Sequence, residues 1–124
     1  MTSTERRVTT TTKKMIKTGN RRHCDFSGEL SDLDATGKPI VITEVGYPSR
    51  RGACTDPWNY SAEGIPDLEA QHRCYRAFQR AWSGESHLQG VYFYMWWGEG
   101  GPADSGYTPR GKPAAEVVRS WYNR

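Results

Sequence analysis

The sequence predicts an α/β fold built from two β/α units. Three observations point to it. "PIVIT" (39–43) is a continuous β-branched run behind a Gly-Lys-Pro turn, "GVYFYMWW" (90–97) is a second, aromatic run, and each leads through a long loop into a segment with helical spacing of apolar residues.

Before the first strand, "FSGELSDLDATGKP" reads as the frayed end of a helix and a turn. The run "PIVIT" suits a strand covered on both faces, as parallel strands are. Alternation then puts Ile40, Ile42 and Glu44 on one side, with Glu44 last. A long loop, 46–64, is rich in Gly, Pro, Asn, Asp and Ser. The segment "IPDLEAQHRCYRAFQRAWSGES" reads as an amphipathic helix. Pro66 suits its first turn, Asp67 and Glu69 its N-terminal dipole, and Gly84 its end, with Leu68, Gln71, Tyr75, Phe78 and Trp82 along one face. The strand "GVYFYMWW" follows, and four of its six residues 92–97 are expected in the core. A Gly-rich loop (98–111) then leads to a helix in "KPAAEVVRSWY", with Pro113 near its start and Ala114, Val117, Val118 and Trp121 facing inward.

Composition sets the limits. A chain of 124 residues is one domain at most, and 35% hydrophobic residues with a mean hydropathy of -0.82 make for a sparse core, helped by five Trp and seven Tyr. The formal charge of +3 is uneven. Residues 1–23 hold seven basic side chains against Glu5, whereas the remainder is acidic. Residues 1–27 therefore read as a disordered Thr/Lys/Arg-rich tail and 28–124 as the folded part. The tail has no interleaved aromatics to favour nucleic acid, an acidic partner for it belongs to the non-enzymatic alternative, and it lacks the apolar stretch of a secretory signal. No apolar run is long enough for a membrane span, and a cytoplasmic location is the default. Cys24, Cys54 and Cys74, like His23, His72 and His87, have no metal-ligand spacing, so all six read as structural or incidental, with no metal expected.

In β/α sheets the loops at the C-terminal strand ends carry the chemistry, and Glu44 stands at such an end. Here the residues carry a resemblance. "GKPIVITEVGYPS", "GVYFYMWW" and "YTPRGKPAAEVVRSW" look like the C-terminal quarter of a retaining glycoside hydrolase of the large (β/α)8 clan, most similar to the β-mannanase-like glycoside hydrolase family 113. The resemblance spans residues 37–123 and implies a partial TIM barrel, about strands seven and eight with their helices. It implies Glu44 as the nucleophile that forms a glycosyl-enzyme intermediate, Trp96 or Trp97 as the floor of the sugar site, and Tyr47 as a hydrogen-bonding neighbour of the nucleophile or the sugar. A mannan-like β-linked substrate and no cofactor are implied with it.

The same resemblance places the acid/base glutamate on the fourth strand, some eighty residues upstream, whereas only 43 residues precede Glu44. Glu99 is the nearest substitute; Glu63 and Asp104 are loop residues with nothing to place them. The alternative to a glycosidase fragment is an inactive remnant or a small carbohydrate-binding or interaction module. Trp58, Asn59 and Tyr60 fit two roles equally, lining a sugar subsite or pinning the long loop. Arg50 and Arg51 read as solvated loop charges. Two parallel strands alone leave both sheet edges open, which predicts self-association or a loosely folded chain.

Overall fold

The computed structural model describes residues 37–55, 57 and 64–123. The tail, the helix end before Gly37, Cys24, Trp58, Asn59, Tyr60 and Glu63 lie outside the described residues. The element order is β1 (Ile40–Val45), α1 (Leu68–Trp82), β2 (Leu88–Phe93) and α2 (Ala114–Tyr122). The two strands are parallel neighbours, and α1 is the crossover between them.

Both helices start where their sequence directs. The Asp67 side chain accepts a hydrogen bond from the Ala70 N–H at 3.0 Å, so Asp67 is the N-cap of α1 and Pro66 stands before the helix, not in its first turn. Pro113 supplies a pre-set helical backbone ahead of α2, at φ -56°.

The core lies between one face of the sheet and the two helices. Ile40, Ile42, Val45 and Val91 meet Tyr75, Phe78 and Trp82 of α1 and Val117 and Trp121 of α2. Phe78 joins the layers, its ring centroid 5.4 Å from Trp121 and 5.8 Å from Phe93. Among the described residues nothing covers the other face: Thr43 and Glu44 of β1 and Tyr92 of β2 are exposed, against the expectation of strands covered on both sides. Among the described residues no helix is long and apolar enough to cross a membrane.

Three sequence expectations change. β2 ends at Phe93, so Tyr94 to Trp97 leave the strand, and Tyr92, Tyr94, Trp96 and Trp97 are exposed where most of that run was expected in the core. Arg50 is only 4% exposed, whereas Arg51 is solvated as expected. Cys54 and Cys74 form a disulfide that ties the loop after β1 to the buried side of α1, a pairing their spacing did not reveal.

Phe78→Ala should lower stability by about 3–5 kcal/mol in a denaturant titration, because an aromatic ring shared by three elements cannot be replaced by collapse around it. Reducing the disulfide, or replacing both cysteines by serine, should cost about 3 kcal/mol for a closed loop of this length, read as a lower melting temperature.

Candidate active site

Parallel pairing brings the C-terminal ends of β1 and β2 together. Val45 pairs with Phe93, and the Tyr94 N–H donates to the Val45 carbonyl at 2.7 Å. The approach is close enough to require glycine next: a Cβ on Gly46 would fall 1.9 Å from the Tyr94 carbonyl oxygen.

The register between the strands is not uniform, and this corrects the expected facing of Glu44. Between the pairs Ile42–Val91 and Val45–Phe93, β1 carries one residue more than β2. The resulting bulge lets Val45, not Glu44, continue the buried side that Ile40 and Ile42 begin, and Glu44 is exposed. Simple alternation would have buried the carboxylate against the helices; the extra residue turns it out.

The other expected site residues separate by burial. Trp96 is 54% and Trp97 82% exposed, both just beyond the end of β2. The peptide bond preceding Met95 is cis. Tyr47 is 1% exposed and its ring packs edge-on against Tyr75, centroids 5.4 Å apart, so it belongs to the core and not to a sugar-facing surface. Burial pushes the Tyr75 phenol far above its ordinary pKa.

An open cleft of about 1070 Å³ adjoins the end of β2, lined among others by Arg50, Tyr94, Trp97, Glu99, Asp104 and Tyr107. Glu99 is exposed there. Glu44 and Trp96 are not among the lining residues, although the Trp96 carbonyl accepts a hydrogen bond from Thr108 Oγ1 at 2.9 Å, which fixes its backbone to the cleft wall.

Two buried polar groups under this wall were not found from the sequence as site residues. Gln71 of α1 donates from Nε2 to the carbonyls of Tyr47 (3.0 Å), Tyr107 (3.1 Å) and Thr108 (3.4 Å), joining both strand-end loops to the helix. Its place on the apolar face of α1 was the available signal. Lys112 has a fully buried side chain, and its ammonium donates to Asp104 Oδ2 (2.7 Å), Ser49 Oγ (2.8 Å) and the Gly106 carbonyl (3.2 Å). Burial works to raise the Asp104 carboxyl, but the Lys112 hydrogen bond, the Gly106 N–H and the Lys112 charge outweigh it and hold it below its ordinary pKa. Asp104 thus contributes stability that is present above the ordinary aspartate range and lost as pH falls through its lowered value. The described residues hold no cluster of side chains suited to a metal ion.

Parallel strands leading into long loops, with Glu44, Trp96 and Trp97 exposed at or just beyond their C-terminal ends, make this an α/β chain built from β/α units. The chain belongs to Glycoside Hydrolase Family 113, whose family model matches residues 19–112. That match takes in part of the stretch read above as a tail. The fold is similar to solved GH113 TIM-barrel enzymes. One, described as a GH113 beta-1,4-mannanase in a complex, superposes with a TM-score of 0.70 at 24% identity over 80% of this chain and 35% of its own. A second, the beta-mannanase AaManA from Alicyclobacillus acidocaldarius in complex with ManMIm, gives 0.66 at 30% identity over 80% of this chain and 34% of its own. The chain therefore spans about a third of the length of these structures. No match was found among curated proteins.

Gly46→Ala should destabilise the chain by about 2 kcal/mol or more, because strand ends in direct backbone contact have to part to admit a methyl group. Gly84→Ala, where an added Cβ meets nothing within 4 Å, should stay within about 0.5 kcal/mol of wild type. Thermal melting of both variants checks the contrast.

Proposed function

We propose that this chain is the nucleophile-bearing C-terminal part of a retaining glycoside hydrolase that acts on a β-linked, mannan-like polysaccharide. The observation that carries the reading is the juxtaposition at one end of the sheet: an exposed Glu44 turned out by a bulge, one strand away from a segment that presents Trp96 and Trp97 to solvent. A sugar ring stacks its C–H face on such an indole, and an exposed strand-end carboxylate is the group that attacks the anomeric carbon.

In this reading Glu44 forms the glycosyl-enzyme bond as the glycosidic oxygen departs. A second carboxyl group, about 5 Å away, protonates the leaving oxygen and then activates the water that releases the sugar. That second group is the acid/base glutamate of another strand of the barrel. Tyr47 supports the site from the core below it. The barrel reading also accounts for the uncovered face of the sheet, since the remaining strands would pack there.

A second reading rests on the exposure of Trp97 alone. An indole 82% exposed beside an open cleft suits retention of a polysaccharide without cleavage, which makes the chain a carbohydrate-binding module.

Hydrolysis of an activated aryl β-mannoside and retardation in a mannan-containing native gel separate the readings. The glycosidase reading expects a single release of the activated aryl group per chain, with the mannosyl group left on Glu44, because such a leaving group departs without the acid of the other strand; Glu44→Ala abolishes that release. The binding reading expects no release, with retardation that survives Glu44→Ala and is lost in Trp97→Ala. A chain with neither property would overturn both.

A further inference from the structure

We propose that Lys112 is a positioning residue: its buried ammonium sets where the loop after β2 lies relative to the loop after β1, and so fixes the wall of the cleft that Trp97 lines. Its effect on sugar rests on the mannan reading above.

The geometry is that of a three-way clamp. Lys112 precedes α2, Ser49 belongs to the loop after β1, and Asp104 and Gly106 belong to the loop after β2. One ammonium donates to all three partners, so its three protons are shared between two loops, one going to the loop after β1 and two to the loop after β2. Ser49 repeats the connection, donating from Oγ to the carbonyls of Asp104 and Gly106 and from its backbone N–H to the Gly106 carbonyl at 3.0 Å. Asp104 Oδ1 in turn accepts the Gly106 N–H at 3.2 Å, which holds the turn that carries both residues.

This clamp is part of the cleft, not a distant support. Asp104 and Gly106 line the cleft themselves, together with Tyr107 and Thr108 immediately after them. Tyr107 packs its ring edge-on against Tyr94, centroids 5.3 Å apart, and Thr108 holds the Trp96 carbonyl. If the loop swings away, the surface next to both tryptophans changes shape. The apolar core does not fix it, because residues 98–111 contribute no member to that cluster, and the bonds from Gln71 reach only Tyr107 and Thr108, after the turn that Lys112 holds.

Lys112→Met removes one partner of an ion pair and leaves Asp104 and Ser49 without it, which costs stability, although Asp104 is 35% exposed and water can take part of the place of the ammonium. Lys112→Met is therefore expected to melt below wild type. The test is amide hydrogen exchange by NMR on the full chain, paired with mannohexaose titration followed by tryptophan fluorescence. The clamp predicts exchange at the Gly101, Asp104 and Gly106 amides at least tenfold faster in Lys112→Met, with strand amides unchanged, and mannohexaose bound at least tenfold more weakly. Asp104→Asn, which keeps the shape but removes the charge, should move the same three amides in the same direction, and it serves if Lys112→Met does not fold.

Unchanged exchange in the folded variant overturns the clamp whatever the sugar does. Faster exchange with undiminished mannohexaose affinity overturns the link between the clamp and the cleft. Wild type that fails to bind mannohexaose, with exchange still accelerated in the variant, upholds the clamp and overturns the mannan reading instead.

Discussion

The open end of this molecule depends on the approach of two backbones. Parallel strands stay in register only while their carbonyls and amides face one another, and here the last bond, from the Tyr94 N–H to the Val45 carbonyl, falls where both strands turn into loops. Only a residue without Cβ can follow at position 46, since the Tyr94 carbonyl occupies the space. The position of Glu44, two residues before Gly46, and of Trp96, two residues beyond Tyr94 in the loop after β2, is thereby set by main-chain contact. Side chains then add orientation, and the bulge at Thr43 and Glu44 is the device that adds it.

A constraint of the opposite kind acts on the sheet as a whole. Ile40, Ile42, Val45 and Val91 find their cover in α1 and α2, and the aromatic packing of Phe78, Phe93 and Trp121 closes that side. Nothing described covers the other side, where Tyr92 is 65% exposed. Sheets of parallel strands are covered on both faces almost without exception, because each face of such a strand is apolar. The described sheet thus departs from that rule on one face, and the chain spans about a third of the length of the solved family members.

Much of this was legible in the sequence because it depends on local rules. Asp67, Pro113 and the apolar spacing of Tyr75, Phe78 and Trp82 each act through neighbours within a turn, so the helices follow from the residues. The parallel pairing followed from element order. What stayed hidden depends on contacts between distant segments. The bulge that exposes Glu44 exists only in the pairing of β1 with β2, and alternation along β1 alone gives the opposite face. Tyr47 sits close to Glu44 in sequence, yet its burial against Tyr75 is decided by a helix some thirty residues on. The aromatic run was misjudged for a related reason: Tyr94 to Trp97 have strand-forming residue types, but the strand they would extend has lost its partner by Phe93.

The tripeptide Gly-Lys-Pro shows the same limit in one pair of sites. It occurs at 37–39 before β1 and at 111–113 before α2, with identical local chemistry. Lys38 is exposed, whereas the Lys112 side chain is wholly buried among acceptors from two other loops. The difference lies in what each loop has to hold. A segment such as 98–111, rich in glycine and lacking core residues, has little apolar area with which to offset the entropy of being ordered. A buried charge with a full set of partners does what packing cannot do there, because each bond has a direction and an unmade one is expensive in a dry site. The exposed tryptophans and the buried lysine are therefore two parts of one arrangement. Trp97 stands in solvent at the rim of the cleft, and the setting of the wall beside it comes from polar contacts beneath the surface.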